Sequence, residues 1–150
     1  MKQLFALALF LISTLAVSAQ DAKSKPPAAT PPANDAAARE ATDKLVAKYT
    51  LNADQTKEMF TIQKRKLRNL DQIASLQTSN RSLYLSKLES LQKNTLASIR
   101  RVLRSKEQVE LYNKTQADVR TQRAAKRKEL AAQKLPKDDL QAILLEIYAE

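Results

Sequence analysis

Proline placement and apolar spacing together confine this chain to a helical fold. Four of its five prolines fall between Pro26 and Pro32, and beyond Asn34 only Pro136 remains. Across that interval large apolar residues recur at steps of three and four rather than alternating, the pattern of helices buried along one face. The reading is all-α: an elongated bundle of four to five helices, arranged as long helical hairpins after a disordered Pro/Ala-rich linker.

The periodicity places the elements. A short first helix is expected from an Asn34 cap through Tyr49, with Leu45, Val46 and Tyr49 on its apolar edge. A second runs from about Ala53 to Leu76 and carries Met59, Phe60, Leu67, Leu70, Ile73 and Ala74. Thr78-Ser79-Asn80 begins a turn, and Leu85, Leu88, Leu91, Leu96, Ile99 and Val102 mark a third helix reaching Leu103. A fourth starts near Lys106 with Val109, Tyr112, Gln116 and Val119 on one face. Past Val119, Arg123, Lys126, Arg127 and Lys128 crowd in among alanines, so this half has little to bury and is expected to project. Pro136 ends it, and a last amphipathic helix holds Leu140, Ile143, Leu144 and Ile147. A bundle this thin is expected to leave apolar surface uncovered, for a dimer or another partner to occupy.

The N-terminus carries an address. Lys2, the apolar run Leu4 to Val17 and the small-residue site Val17-Ser18-Ala19 have the order of an export signal, with cleavage leaving Gln20 first. The run is shorter than the roughly 20 residues a spanning helix needs. No cysteine follows it, so lipid anchoring at a cysteine is excluded. The expected organisation is a signal peptide over 1–19, a linker over 20–34, a helical domain over 35–136 and the last helix over 137–150. The linker, DAKSKPPAATPPAN after Gln20, has no large apolar residue with which to offset the entropy of ordering. The mature protein is expected to be soluble and periplasmic, or secreted where no outer membrane exists.

Composition narrows the chemistry. The chain has no Gly, Cys, His or Trp. Without Gly it lacks phosphate-cradling loops, dinucleotide fingerprints and nucleophile elbows; without His and Cys it lacks the imidazole base, the thiolate and the usual zinc ligands. Asp138-Asp139 is the only adjacent acidic pair, and it reads as helix-start chemistry, since neighbours on a helix do not face one another. The expectation is a non-enzyme with no cofactor or metal. Loss of Lys2 with the leader lowers the net charge from +10 by one, leaving a basic exported protein suited to acidic partners.

A short phrase occurs twice. Asn52-Ala53-Asp54-Gln55 and Ser105-Lys106-Glu107-Gln108 each place a capping residue three positions before Gln, with an acid between. Each is a capping box, in which the first side chain accepts from a free backbone N–H and the Gln reaches back. Taken with Leu51, these residues resemble the LTxxQ motif of the Spy/CpxP-type periplasmic proteins. Asn52 stands for the usual Thr in the first copy, and in the second Arg104 occupies the Leu position with Leu103 one residue early. The resemblance spans about Tyr49 to Leu135, together with the signal peptide and helix order, and leaves out 137–150. It implies a curved antiparallel homodimer whose concave face combines basic and apolar patches and holds unfolded proteins without ATP.

Materials for such a surface are present. Lys64, Arg65, Lys66 and Arg68 lie in helix two, Arg100, Arg101 and Arg104 close helix three, and Arg120, Arg123 and Arg127 step along helix four. With Met59 and Phe60 as apolar contacts, they are the candidate client-binding residues, and the expected partners are unfolded or acidic polypeptides. The alternative is an envelope protein that binds anionic lipid or cell-wall polymer through Arg120 to Lys128. Nucleic acid is not expected, because export separates the chain from it and no aromatic stacking platform is present.

Overall fold

A computed structural model describes residues 32–150, and every described element is helical. The stretches expected to be an export signal and a linker lie, but for the last residues of the second, outside the described residues. Helix α1 spans Pro32–Tyr49, α2 Ala53–Ala74, α3 Leu76–Ser79, α4 Arg81–Val102, α5 Lys106–Leu130 and α6 Lys137–Glu146, with a 3₁₀ turn at Ala131–Gln133. At 22, 22 and 25 residues, α2, α4 and α5 are each about 33 to 38 Å long.

Helix α1 begins earlier than the sequence suggests. Pro32 takes a first-turn position, where its missing N–H satisfies nothing anyway and its fixed φ suits a helix. Asn34 is therefore inside the helix rather than at its cap, and its amide donates to Asp71 of α2. Helix α2 stops two residues short of Leu76. There the hydroxyls of Thr78 and Ser79 both bond back to the Ser75 carbonyl, and the chain restarts as the single turn α3. Asn80 then leaves helical geometry and caps α4, its side chain accepting from the Leu83 N–H at 3.0 Å.

With no glycine available, two turns use left-handed backbone at other residues: Thr50 at φ 51° and Lys134 at φ 47°. Each costs about 1 to 2 kcal/mol of local strain. Lys134 reverses the chain after the 3₁₀ turn, and Pro136 opens α6 behind it. Asp138 and Asp139 fall in the first turn of α6, as helix-start residues should, and Asp139 pairs with Arg81 of α4.

The main core sits where α1, α2 and α4 converge with the two loops. Leu45, Tyr49, Leu51, Met59, Ile62, Ile99, Val102 and Leu103 form one buried cluster, with Val46, Val109 and Tyr112 packed on it. The second half of α5 does not project bare. Helix α6 folds back against α4 and α5, burying Leu144 and Leu145 of its own and leaving Val119 and Leu130 of α5 buried. It brings the apolar residues that α5 lacks. Uncovered apolar surface is correspondingly small: among the described residues only Leu83 and Leu111 are large, apolar and exposed. The expectation of a broad bare face is corrected on that point.

Candidate functional site

The two capping boxes form as the sequence predicts, and they also grip each other. The Asn52 side chain accepts from the Gln55 N–H at 2.9 Å while Gln55 Oε1 accepts from the Asn52 N–H at 3.1 Å. In the second copy Ser105 Oγ accepts from the Gln108 N–H, and Gln108 Oε1 accepts from the N–H groups of Ser105 and Arg104. Each glutamine then uses its amide nitrogen across the bundle. Gln55 Nε2 donates to the Val102 carbonyl at 2.8 Å, at the end of α4, and Gln108 Nε2 donates to the Tyr49 carbonyl at 3.1 Å, at the end of α1. The two amides also pair with one another at 2.9 and 3.2 Å. One helix-loop-helix unit thus closes the C-terminal end of the other.

The displaced leucine of the second motif has a geometric cause. Both connectors have two residues between the last helical residue and the cap. In the first, Thr50 turns left-handed and Leu51 enters the core; in the second, Leu103 leaves the helix extended (φ −74°, ψ 119°) and itself enters the core, while Arg104 faces out. Each loop buries one leucine, one residue out of phase.

The basic residues do not gather on a single face. Lys64 pairs with Asp35, and its ammonium and the Arg39 guanidinium both lie over the Phe60 ring, at 5.5 and 5.0 Å. Arg104 pairs with Glu58, and Arg100 reaches the Leu103 carbonyl. Arg123 donates to the Ile147 carbonyl at 2.9 Å, Arg120 lines a groove between α4 and α5, Arg68 is half-buried along α2, and Arg127 is exposed on α5. Met59 is fully buried, so it belongs to the core and is removed from the surface set; Phe60 is half-buried beneath its two cations.

Two of the expected residues do come together. Arg65 of α2 and Arg101 of α4 both donate to Ser98 Oγ, at 2.9 and 3.1 Å, and Ser98 in turn donates to the Asn94 carbonyl. They stand in a groove of about 750 Å³ between α2 and α4, together with Lys66, Lys87, Asn69, Gln72 and Asn94 and with Ile73, Leu91 and Ala97. No carboxylate lines it, and among the described residues Arg65, Arg101 and Lys87 form no ion pair within 4 Å. Two guanidiniums sharing a neutral hydroxyl keep their charge directed at whatever enters the groove. Lys87 was missed in the sequence, although it lies on one stripe with Asn94 and Arg101 at seven-residue steps.

Away from the groove, burial shifts two groups near the end of the chain. Desolvation holds Lys48 below the usual lysine range, against the pull of Glu150. Burial, reinforced by the Glu150 carboxylate, pushes the Tyr148 phenol far above the ordinary tyrosine range. Among the described residues no cluster of acidic side chains has metal-binding form, and no helix is long and apolar enough to cross a membrane. Comparison with protein-family models, with curated proteins and with solved structures found no match.

Proposed function

We propose that this protein is an ATP-independent, chaperone-like binder of unfolded or partly folded acidic polypeptides, acting in the periplasm after export. The observation that supports this most is the α2–α4 groove, where Arg65, Lys87 and Arg101, in no ion pair among the described residues, stand around Ile73, Leu91 and Ala97. Such a groove attracts an acidic segment from a distance and retains it by apolar contact. Attraction of this kind reaches about 30 Å at 0.01 M salt and about 10 Å at 0.1 M, so it weakens as salt rises. The clasped loops hold α2 and α4 at the spacing the groove requires. Binding of this kind needs no catalytic group, which suits a chain with neither His nor Cys.

The test is suppression of aggregation. Purified mature protein should keep a chemically unfolded acidic protein in solution at low salt without nucleotide, and less effectively as salt increases. No suppression at any salt concentration contradicts the proposal. The envelope reading rests on Arg120 to Lys128, where Arg123 is engaged with the Ile147 carbonyl and Lys126 with Glu129. That stretch is left with less free charge than its sequence implies, and sedimentation with anionic vesicles separates the two readings. A homodimer, which the family resemblance implies, belongs to the same proposal and is read from sedimentation equilibrium.

A further inference from the structure

The segment that follows α6, Ile147–Glu150, lies half-buried against the bundle. Side chains from two helices address the main-chain oxygens of this stretch: Arg123 of α5 donates to Ile147 at 2.9 Å, Gln116 of α5 to Ala149 at 3.0 Å, and Lys48 of α1 to Glu150, while Gln92 of α4 donates to the Leu145 carbonyl at 3.0 Å, in α6 just before it. Main-chain oxygens are common to every polypeptide. A row of side-chain donors aimed at them reads an extended chain without reading its sequence, apart from one position. The Glu150 carboxylate takes Lys66 on one oxygen and Gln63 Nε2 on the other at 2.8 Å, and the Tyr148 hydroxyl donates to it as well. Lys66 also stands over the Tyr148 ring at 5.5 Å.

Two further observations mark the segment as an occupant rather than a fixed part of the core. Gln63 is fully buried, and its Oε1 has no hydrogen-bond partner, so the segment leaves an acceptor in the site unfilled. The cleft that holds the segment also meets a groove at Tyr148, of about 480 Å³ between α4 and α5, and another at Glu150, of about 370 Å³ beside α1.

We propose that this cleft is a binding site for an extended polypeptide segment with an aromatic residue two positions before an acid, held closed in this chain by its own residues 147–150. The occupant in trans is a stretch of an unfolded acidic client, and to that extent the inference rests on the chaperone reading. Lys66 lines the α2–α4 groove as well as the cleft, so a client held in the groove reaches the cleft without leaving the surface.

The experiment uses the full chain and a fluorescein-labelled peptide of residues 145–150, LEIYAE, read by anisotropy. Tyr148→Ala/Glu150→Gln, which loosens the internal occupant, should bind the peptide roughly tenfold more tightly than the unaltered chain. Adding Lys66→Gln to that variant should reverse the gain, and the peptide LEIYAQ should bind more weakly than LEIYAE. A loosened variant that keeps its helical circular dichroism and binds no better than the unaltered chain overturns the proposal. Should that variant lose its helicity, the unaltered chain with carbon-13 tyrosine decides: excess unlabelled peptide should move the Tyr148 ring signals to solvent-exposed positions, and unmoved signals overturn the proposal. Peptide binding without aggregation suppression removes the chaperone reading alone; suppression without peptide binding removes this site alone.

Discussion

Replacing Gln55 by Ala tests whether the paired capping boxes hold the bundle together. The Gln55 side chain is buried, and its loss leaves the Val102 carbonyl without its 2.8 Å donor at the end of α4. A buried carbonyl left unpaired costs about 1 to 3 kcal/mol. Loss of the return half of the capping box adds about 0.5 to 1 kcal/mol, reduced because Asn52 is exposed and water takes over its N–H. The one buried methylene that is lost adds about 0.8 kcal/mol at full burial, giving a total of about 2 to 5 kcal/mol. Gln108→Ala should cost less, about 1 to 2 kcal/mol, because that side chain is only partly buried and solvent replaces some of its bonds. The two amides bond to each other, so the double variant should cost about 1 kcal/mol less than the sum of the singles. Urea unfolding followed by helical circular dichroism measures all three, with exposed Gln133→Ala as the control expected within about 0.5 kcal/mol of the unaltered chain. A cost below about 1 kcal/mol for Gln55→Ala, or additive single costs, would refute the clasp.

Thr50→Gly should raise stability by about 1 kcal/mol, because a β-branched residue is held at φ 51° where glycine is unstrained; a lowered urea midpoint would show that the Thr side chain outweighs the strain. Alkaline pH should weaken the fold through Tyr148. Its phenol stays protonated in the folded chain well above the usual range, while the unfolded chain loses that proton near about pH 10, so the folded state binds more protons and stability falls as pH rises. The slope from this one group is up to about 1.4 kcal/mol per pH unit, and Tyr148→Phe should remove it; identical slopes for the two proteins above about pH 10 would contradict the assignment. Arg65→Glu/Arg101→Glu reverses two exposed charges in the α2–α4 groove, and should raise the concentration needed for half-maximal aggregation suppression roughly tenfold at low salt while moving the urea midpoint little. Undiminished suppression by that variant would place client binding elsewhere.

What could be read from the sequence was local chemistry. Asn52 with Gln55 and Ser105 with Gln108 announce helix starts within four residues, and α2 and α5 begin where those residues place them. Apolar spacing likewise showed which stretches are helical, but a stripe does not reveal how many neighbours cover it. Met59 sits where α1 and α4 both press on α2, which is why it proved to be core rather than contact surface. The basic residues were harder, because a charge run looks the same whether it faces water or a carbonyl. Arg123 reaches Ile147 and Lys66 reaches Glu150 across 24 and 84 residues, and no local pattern encodes such pairings. The half-buried segment 147–150 was invisible for the same reason: its partners lie on α1, α2 and α5. The early leucine of the second motif was legible as a departure, yet its cause lies in the left-handed Thr50 of the other loop, a backbone choice that sequence spacing does not specify.

Where an unfolded client touches the surface decides whether the α2–α4 groove is the binding site. A photo-reactive phenylalanine analogue at position 91 lies in the α2–α4 groove, and the same group at position 110 sits on an exposed part of α5 that does not line it. Irradiated at low salt with a heat-unfolded acidic protein, the position 91 variant should give the cross-linked product in high yield and the position 110 variant little. Equal yields from the two positions, or cross-linking from position 110 alone, would contradict the central claim.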